Sequence, residues 1–170
     1  MRTLDAHSTA LVLVDLMDRI VANPLAPRPG TEVLAASLEL AGVFREAGAP
    51  VVAVRVERPN VAEQPPGSDL VAEVAAVADE VVVKRTIGAF HATGLDELLR
   101  ARGVRTVVLA GIATNLGVES TARAAVDLGY EVVFVEDAMT ALTEEEHRAP
   151  VAHSFPRLGA VAGKAELTFG

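Results

Sequence analysis

Thr106-Val-Val-Leu-Ala-Gly-Ile-Ala-Thr-Asn-Leu-Gly-Val-Glu-Ser-Thr-Ala-Arg123 changes character halfway along. An apolar run, Val107 to Ala110, ends at Gly111. A polar turn at Thr114 and Asn115 follows, and then a segment with helical character. This is the pattern of a buried strand feeding straight into a helix. Such a junction aims the N–H groups of the first helical turn at whatever lies in front of it, a ready place for a nucleophile, an oxyanion or a carboxylate. The most exposed position at the mouth of that helix is expected to be Gly117, which offers backbone and no side chain.

Outward from this unit, the same pattern recurs. Apolar strands are expected at 10–14, 51–56, 81–83, 131–135 and 159–163. They stop at Asp15, Lys84 and Glu136-Asp137 among other positions. Helices are expected over 32–47 (Thr31 as N-cap, Gly48 as stop), 69–77 and 94–102. Two more follow, one ending at Gly129 and one starting near Thr143. Segments 57–68 and 85–93, and the stretch from Pro24 to Gly30, read as loops. Strands that are solidly apolar and alternate with helices imply a parallel sheet covered on both faces. The expectation is one three-layer α/β domain over residues 1–170.

Composition narrows the function. The chain carries 15 basic and 23 acidic residues, a net charge of −8, and no basic cluster. That argues against nucleic acid or an anionic membrane as partner. No apolar run approaches the roughly 20 residues of a membrane span, and the N-terminus does not resemble a secretory leader, so a cytoplasmic location is expected. Cysteine is absent, which excludes disulfides, thiolate metal sites and a catalytic cysteine.

In open α/β sheets, ligands bind beyond the carboxyl ends of the strands, where the strand order reverses. The residues following each strand are therefore the candidates. Asp15 reads either as a turn former or as a functional acid, and Lys84 either as a solvated edge residue or as its partner. At neighbouring strand ends a carboxylate and an ammonium form an acid–base unit and shift each other's pKa. Asp137 reads as a cap or anchor. In the 85–93 loop, Phe90 and His91 are candidate ligand contacts, while His147 and His153 read as structural or surface residues. No spacing for a metal site, a phosphate loop, a dinucleotide fingerprint or a serine-hydrolase elbow occurs.

These residues resemble the isochorismatase-like hydrolases, also called the cysteine hydrolase family. The resemblance covers nearly the whole chain. It rests on Leu13-Val-Asp15, on Lys84 with Ala89-Phe90-His-Ala-Thr93-Gly-Leu95, on Ala110-Gly-Ile-Ala-Thr-Asn115 with Val118-Glu-Ser-Thr-Ala-Arg123, and on Asp127-Leu-Gly-Tyr130 before Val135-Glu-Asp-Ala138. It implies a Rossmann-like six-stranded parallel sheet and a homodimer or homotetramer. It also implies a cis peptide just before Ala113, shaping an oxyanion-binding turn. Most of the family uses an Asp-Lys-Cys triad, in which the thiolate attacks an amide or nitrile carbon. By position the Asp is Asp15, the Lys is Lys84, and the Cys position is Gly117. Two further departures are Met17, where Gln is common, and the loop Glu57-Arg-Pro-Asn60, where nicotinamidase-like members carry metal-binding histidines. No metal or cofactor is implied.

True isochorismatases also carry glycine at the cysteine position. For them the resemblance implies cofactor-free hydrolysis of a vinyl ether, with the Asp as general acid and the Lys holding substrate. The expectation is a hydrolase of a small molecule working by acid and water. Its substrate or anion would lie against Ile112, Ala113, Thr114, Asn115, Phe90 and Met17. Two alternatives stand beside it. One is a catalytically silent homologue that binds a small molecule or serves as a scaffold. The other is an amidohydrolase using Ser120, Thr114 or activated water.

Overall fold

The computed structural model describes residues 1–170 and places Thr106–Ile112 in the middle of the main sheet. The strands are β1 (Arg2–Leu4), β2 (Thr9–Val14), β3 (Val51–Val56), β4 (Glu80–Lys84), β5 (Thr106–Ile112), β6 (Glu131–Thr140), β7 (Ala160–Ala162) and β8 (Leu167–Phe169). The helices are α1 (Asp18–Val21), α2 (Gly30–Glu46), α3 (Ala72–Val77), α4 (Leu95–Ala101), α5 (Glu119–Asp127), α6 (Glu144–Ala149) and α7 (Phe155–Leu158). Six strands form one parallel sheet in the order β4-β3-β2-β5-β6-β7. The chain starts this sheet at β2, builds outward through β3 and β4, and then returns to β5 on the other side. The strand order therefore reverses between β2 and β5.

Successive residues along each strand point to opposite faces, and in the central strands β2, β3 and β5 both faces are largely buried. Leu11, Leu13, Val51, Ala53, Val108 and Val133 share one core with Val33, Leu40 and Phe44 of α2. Their strand neighbours Val12, Val14, Val52, Val107 and Phe134 share the other with Leu95 and Leu99 of α4 and Ala122 of α5. Each fully buried Val or Leu contributes about 1.5–3 kcal/mol. Alternation is absent from these central strands because neither of their faces meets water, whereas the edge strands β4 and β7 expose Val81 and Val161. No helix is long and apolar enough to cross a membrane.

Three local features depart from expectation. A short parallel pair, β1 with β8, joins the two ends of the chain, and Phe169 sets its ring edge-on to Phe44 at 4.9 Å. Helix α2 begins at Gly30 behind Pro29, two residues earlier than a Thr31 cap would give. Strand β6 does not stop at Glu136-Asp137. It bulges there, since Leu109 faces Phe134 but Gly111 already faces Met139, and it runs on to Thr140. Gly111 is required where β5 meets β2. Its φ is +120°, and a Cβ there would lie 2.2 Å from the Val14 carbonyl oxygen.

Candidate active site

Asp15 is the first residue beyond β2. Its backbone turns into the left-handed region, with φ +53°, a conformation that Asp tolerates better than most residues. Its amide still donates to the Val54 carbonyl at 2.9 Å, and its own carbonyl accepts from Met17 at 2.8 Å. The side chain is thereby re-aimed across the strand ends and is only 6% exposed.

Lys84 closes β4 and is 2% exposed. The two strand ends are not neighbours, because β3 lies between them. Two strand spacings are about 9.5 Å, and the long lysine stem covers the gap. Its Nζ lies 2.9 Å from Asp15 Oδ2 and donates a second hydrogen bond to the Ile87 carbonyl. An ammonium has three donors, so one remains. Asp15 Oδ1 is enclosed and has no partner. An acceptor left in that state costs about 1–3 kcal/mol. Burial pushes the Asp15 carboxyl above its ordinary value. The charge and hydrogen bond of Lys84, and Arg19 beyond them, pull it down without cancelling that effect.

Gly117 completes the cluster. A Cβ built on it would lie 3.3 Å from Asp15 Oδ2, 3.3 Å from Lys84 Nζ and 2.9 Å from Val14 Cγ1. Gly117 is buried rather than exposed, and the place of a side chain is closed by Val14. The exposed residue of this turn is Leu116, at 47%. The turn itself is wide: Leu116 and Val118 both donate to the Ala113 carbonyl, at 3.1 and 3.2 Å. The Ile112–Ala113 peptide is cis. The Ala113 amide makes no hydrogen bond within the chain. Thr121 fixes the turn to the 85–93 loop, donating to the Gly117 carbonyl at 2.6 Å and accepting from the Ala89 amide at 3.0 Å.

A cavity of about 430 Å³ opens over this cluster. Of the residues expected at the site, Asp15, Lys84, Gly117, Ile112 and Ala113 line it. Met17, Thr114, Asn115 and Phe90 do not. Met17 is wholly buried, with its sulfur 3.4 Å from the Val56 amide, because the backbone turn at Asp15 directs it into the core. Phe90 packs its ring against Tyr130, centroids 5.8 Å apart, and His91 is exposed. Asn115 Oδ1 is enclosed without a partner away from the cavity wall. Ser120 sits under Gly88, where a Cβ would meet its Oγ at 2.8 Å, and does not line the cavity.

The Thr114 hydroxyl meets Nδ1 of His147 at 2.8 Å, and Nε2 of that ring meets Glu136 Oε1 at 3.0 Å. His147 is 1% exposed. Arg28 holds the same carboxylate at 3.2 and 3.3 Å. Burial raises the Glu136 carboxyl, but the hydrogen bond from His147 and the charge of Arg28 outweigh it and leave it low. An ionised Glu136 only accepts, so in the neutral ring Nε2 carries the proton and Nδ1 accepts from Thr114. This buried network behind the turn had no signal in the sequence beyond one histidine following three glutamates. The apolar wall of Ile20, Leu25, Ile87, Leu116 and Leu142 was also missed. Ile87 and Leu116, each a large apolar residue inside a polar loop, were the available clue. Asp137 anchors the C-terminal segment, its Oδ1 accepting from the Lys164 amide at 2.8 Å.

Known proteins resemble this chain over nearly its whole length. Residues 9–166 match the isochorismatase domain. The isochorismatase family protein YecD of Escherichia coli O157:H7 is 38% identical over 98% of each chain. Among solved structures, an isochorismatase family protein of Burkholderia thailandensis superposes with a TM-score of 0.84 at 38% identity, over 97% of this chain and 95% of that one. N-carbamoylsarcosine amidase of Thermoplasma acidophilum has a TM-score of 0.78 at 26% identity, over 92% and 96%.

Proposed function

Because the chain belongs to the isochorismatase family of hydrolases, we propose that it hydrolyses a small molecule with an acid and a water, through no covalent intermediate. The observation that carries this reading is the state of Asp15. One oxygen is held by Lys84, while the other is enclosed and unpartnered, beside a glycine at the nucleophile position. Burial raises that carboxyl above its ordinary value, so it holds a proton to a higher pH than an exposed Asp does. Oδ2 accepts from Lys84 whether or not the group is ionised.

The reaction class that fits is vinyl ether hydrolysis. Asp15 gives its proton to the terminal enol carbon, and the double-bond electrons form the new C–H bond. The cation left behind is an oxocarbenium, which water captures at carbon. The water's proton returns to Asp15, and the hemiketal collapses to a ketone and an alcohol. During the first step Asp15 becomes negative, and the ammonium of Lys84 at 2.9 Å stabilises it. The free Ala113 amide offers a donor to an anionic oxygen of the ligand.

The test is turnover of isochorismate and of a panel of small amides by the purified protein and by Asp15→Asn. Wild-type hydrolysis of the vinyl ether, reduced by roughly 10²–10⁴ in the variant, is expected. Turnover confined to the amides, or unchanged by Asp15→Asn, refutes the reading.

A further inference from the structure

We infer that the cavity takes a small carboxylate with an apolar body, and that Arg58 reads its acid group. The inference rests on this cavity being the ligand site of the reading above, and not on the reaction proposed there. Its walls carry three cations, Arg58, Lys84 and Arg85, against two acids, Asp15 and Glu57. Over the whole chain the balance is reversed, 15 basic residues against 23 acidic. The cavity is thus a positive spot on a negative protein, which concentrates anions.

The cations are not equivalent. Lys84 is committed to Asp15 and the Ile87 carbonyl. Glu57 engages Arg85 with Oε2 at 2.8 Å and Arg55 with Oε1 at 2.8 Å, so both its oxygens are occupied. Arg58 lies within salt-bridge distance of no carboxylate, although its neighbour in sequence is Glu57. Its backbone is nevertheless fixed on both sides by one side chain. The Arg58 amide donates to Gln64 Oε1 at 2.8 Å, and Gln64 Nε2 donates to the Arg58 carbonyl at 3.0 Å. A loop rich in Pro and Gly therefore presents a guanidinium from an anchored position. The planar fork of that group matches a carboxylate with two parallel hydrogen bonds. Opposite the charge, Ile87, Leu116 and Leu142 expose roughly half of their surface at the mouth, which an apolar ligand body covers.

Benzoate and benzamide, nearly the same shape, separate charge from fit. Calorimetric titration of wild type, Arg58→Gln and Arg58→Lys with each probe, and with phenyl phosphate, tests the inference without needing turnover. Wild type binds benzoate in preference to benzamide. Arg58→Gln weakens benzoate at least roughly tenfold, as expected for loss of a charged hydrogen-bond partner, and Arg58→Lys restores part of it. Raised salt weakens the wild-type binding. Benzamide bound as well as benzoate, no binding of benzoate at all, a preference that survives Arg58→Gln, or phenyl phosphate bound more tightly than benzoate would each overturn it.

Discussion

Lys84 Nζ reaches Asp15 Oδ2 at 2.9 Å across the end of an intervening strand, and leaves Oδ1 of the same carboxyl enclosed without a partner. The pair is thus asymmetric. One oxygen is fixed by a cation, and the other is buried with no hydrogen-bond partner. On the proposed reading, this asymmetry and burial together make Asp15 the proton donor.

The raised Asp15 pKa has a consequence for stability. The folded state holds this proton more tightly than the unfolded chain, whose reference value is 3.8. Stability from this group is full below that pH and is lost as pH rises through the raised value. Asp15→Asn removes the titration. Urea unfolding of both proteins from about pH 4 to 7 is expected to show wild type losing stability relative to the variant as pH rises. A relative gain over that range means that Lys84 depresses the carboxyl instead.

Gly117 is held in place by Val14. Gly117→Ala puts a Cβ 2.9 Å from Val14 Cγ1 and is expected to cost about 1–3 kcal/mol through overpacking. In a Val14→Ala background the added cost shrinks toward zero. A double-mutant cycle by chemical denaturation measures the coupling. Equal costs in both backgrounds contradict the contact. By the same geometry, Gly117→Cys needs Val14→Ala beside it before a thiol can sit against Asp15 and Lys84.

Thr114 is a structural partner of His147. Thr114→Val leaves Nδ1 of a 1% exposed ring without its donor, at about 1–3 kcal/mol, whereas Thr114→Ser keeps the hydroxyl and most of the stability. Thermal and urea unfolding of the two variants distinguish them. Equal destabilisation assigns the loss to the methyl group's packing rather than to the hydrogen bond.

Phe90 belongs to the packing against Tyr130. Phe90→Leu is expected to cost about 0.5–1.5 kcal/mol for the lost aromatic pair while leaving hydrolysis rates unchanged. A selective drop in rate at wild-type stability returns Phe90 to the site.

The sequence made the six main strands legible because each centres on a short apolar run, and the strand ends pointed to Asp15, Lys84 and the turn at 112–117. What stayed hidden depends on direction and on long-range contact. Met17 and Phe90 stand near the right residues in sequence, but a left-handed backbone at Asp15 turns one into the core, and the other packs against Tyr130. Gly117 read as exposed because the side chains that cover it arrive from Val14, Asp15 and Lys84. The continuation of β6 was masked by a bulge whose acidic residues look like a strand end. The β1–β8 pair was too short and too polar to register.

On the proposed reading, Asp15 delivers a proton to carbon. Hydrolysis of isochorismate in D2O, followed by proton NMR of the three-carbon keto acid product, tests it most directly. The account predicts that wild type releases the product with one deuterium in its methyl group, and that Asp15→Asn releases essentially none. Absence of turnover by wild type, or a freshly released methyl group without deuterium, contradicts it.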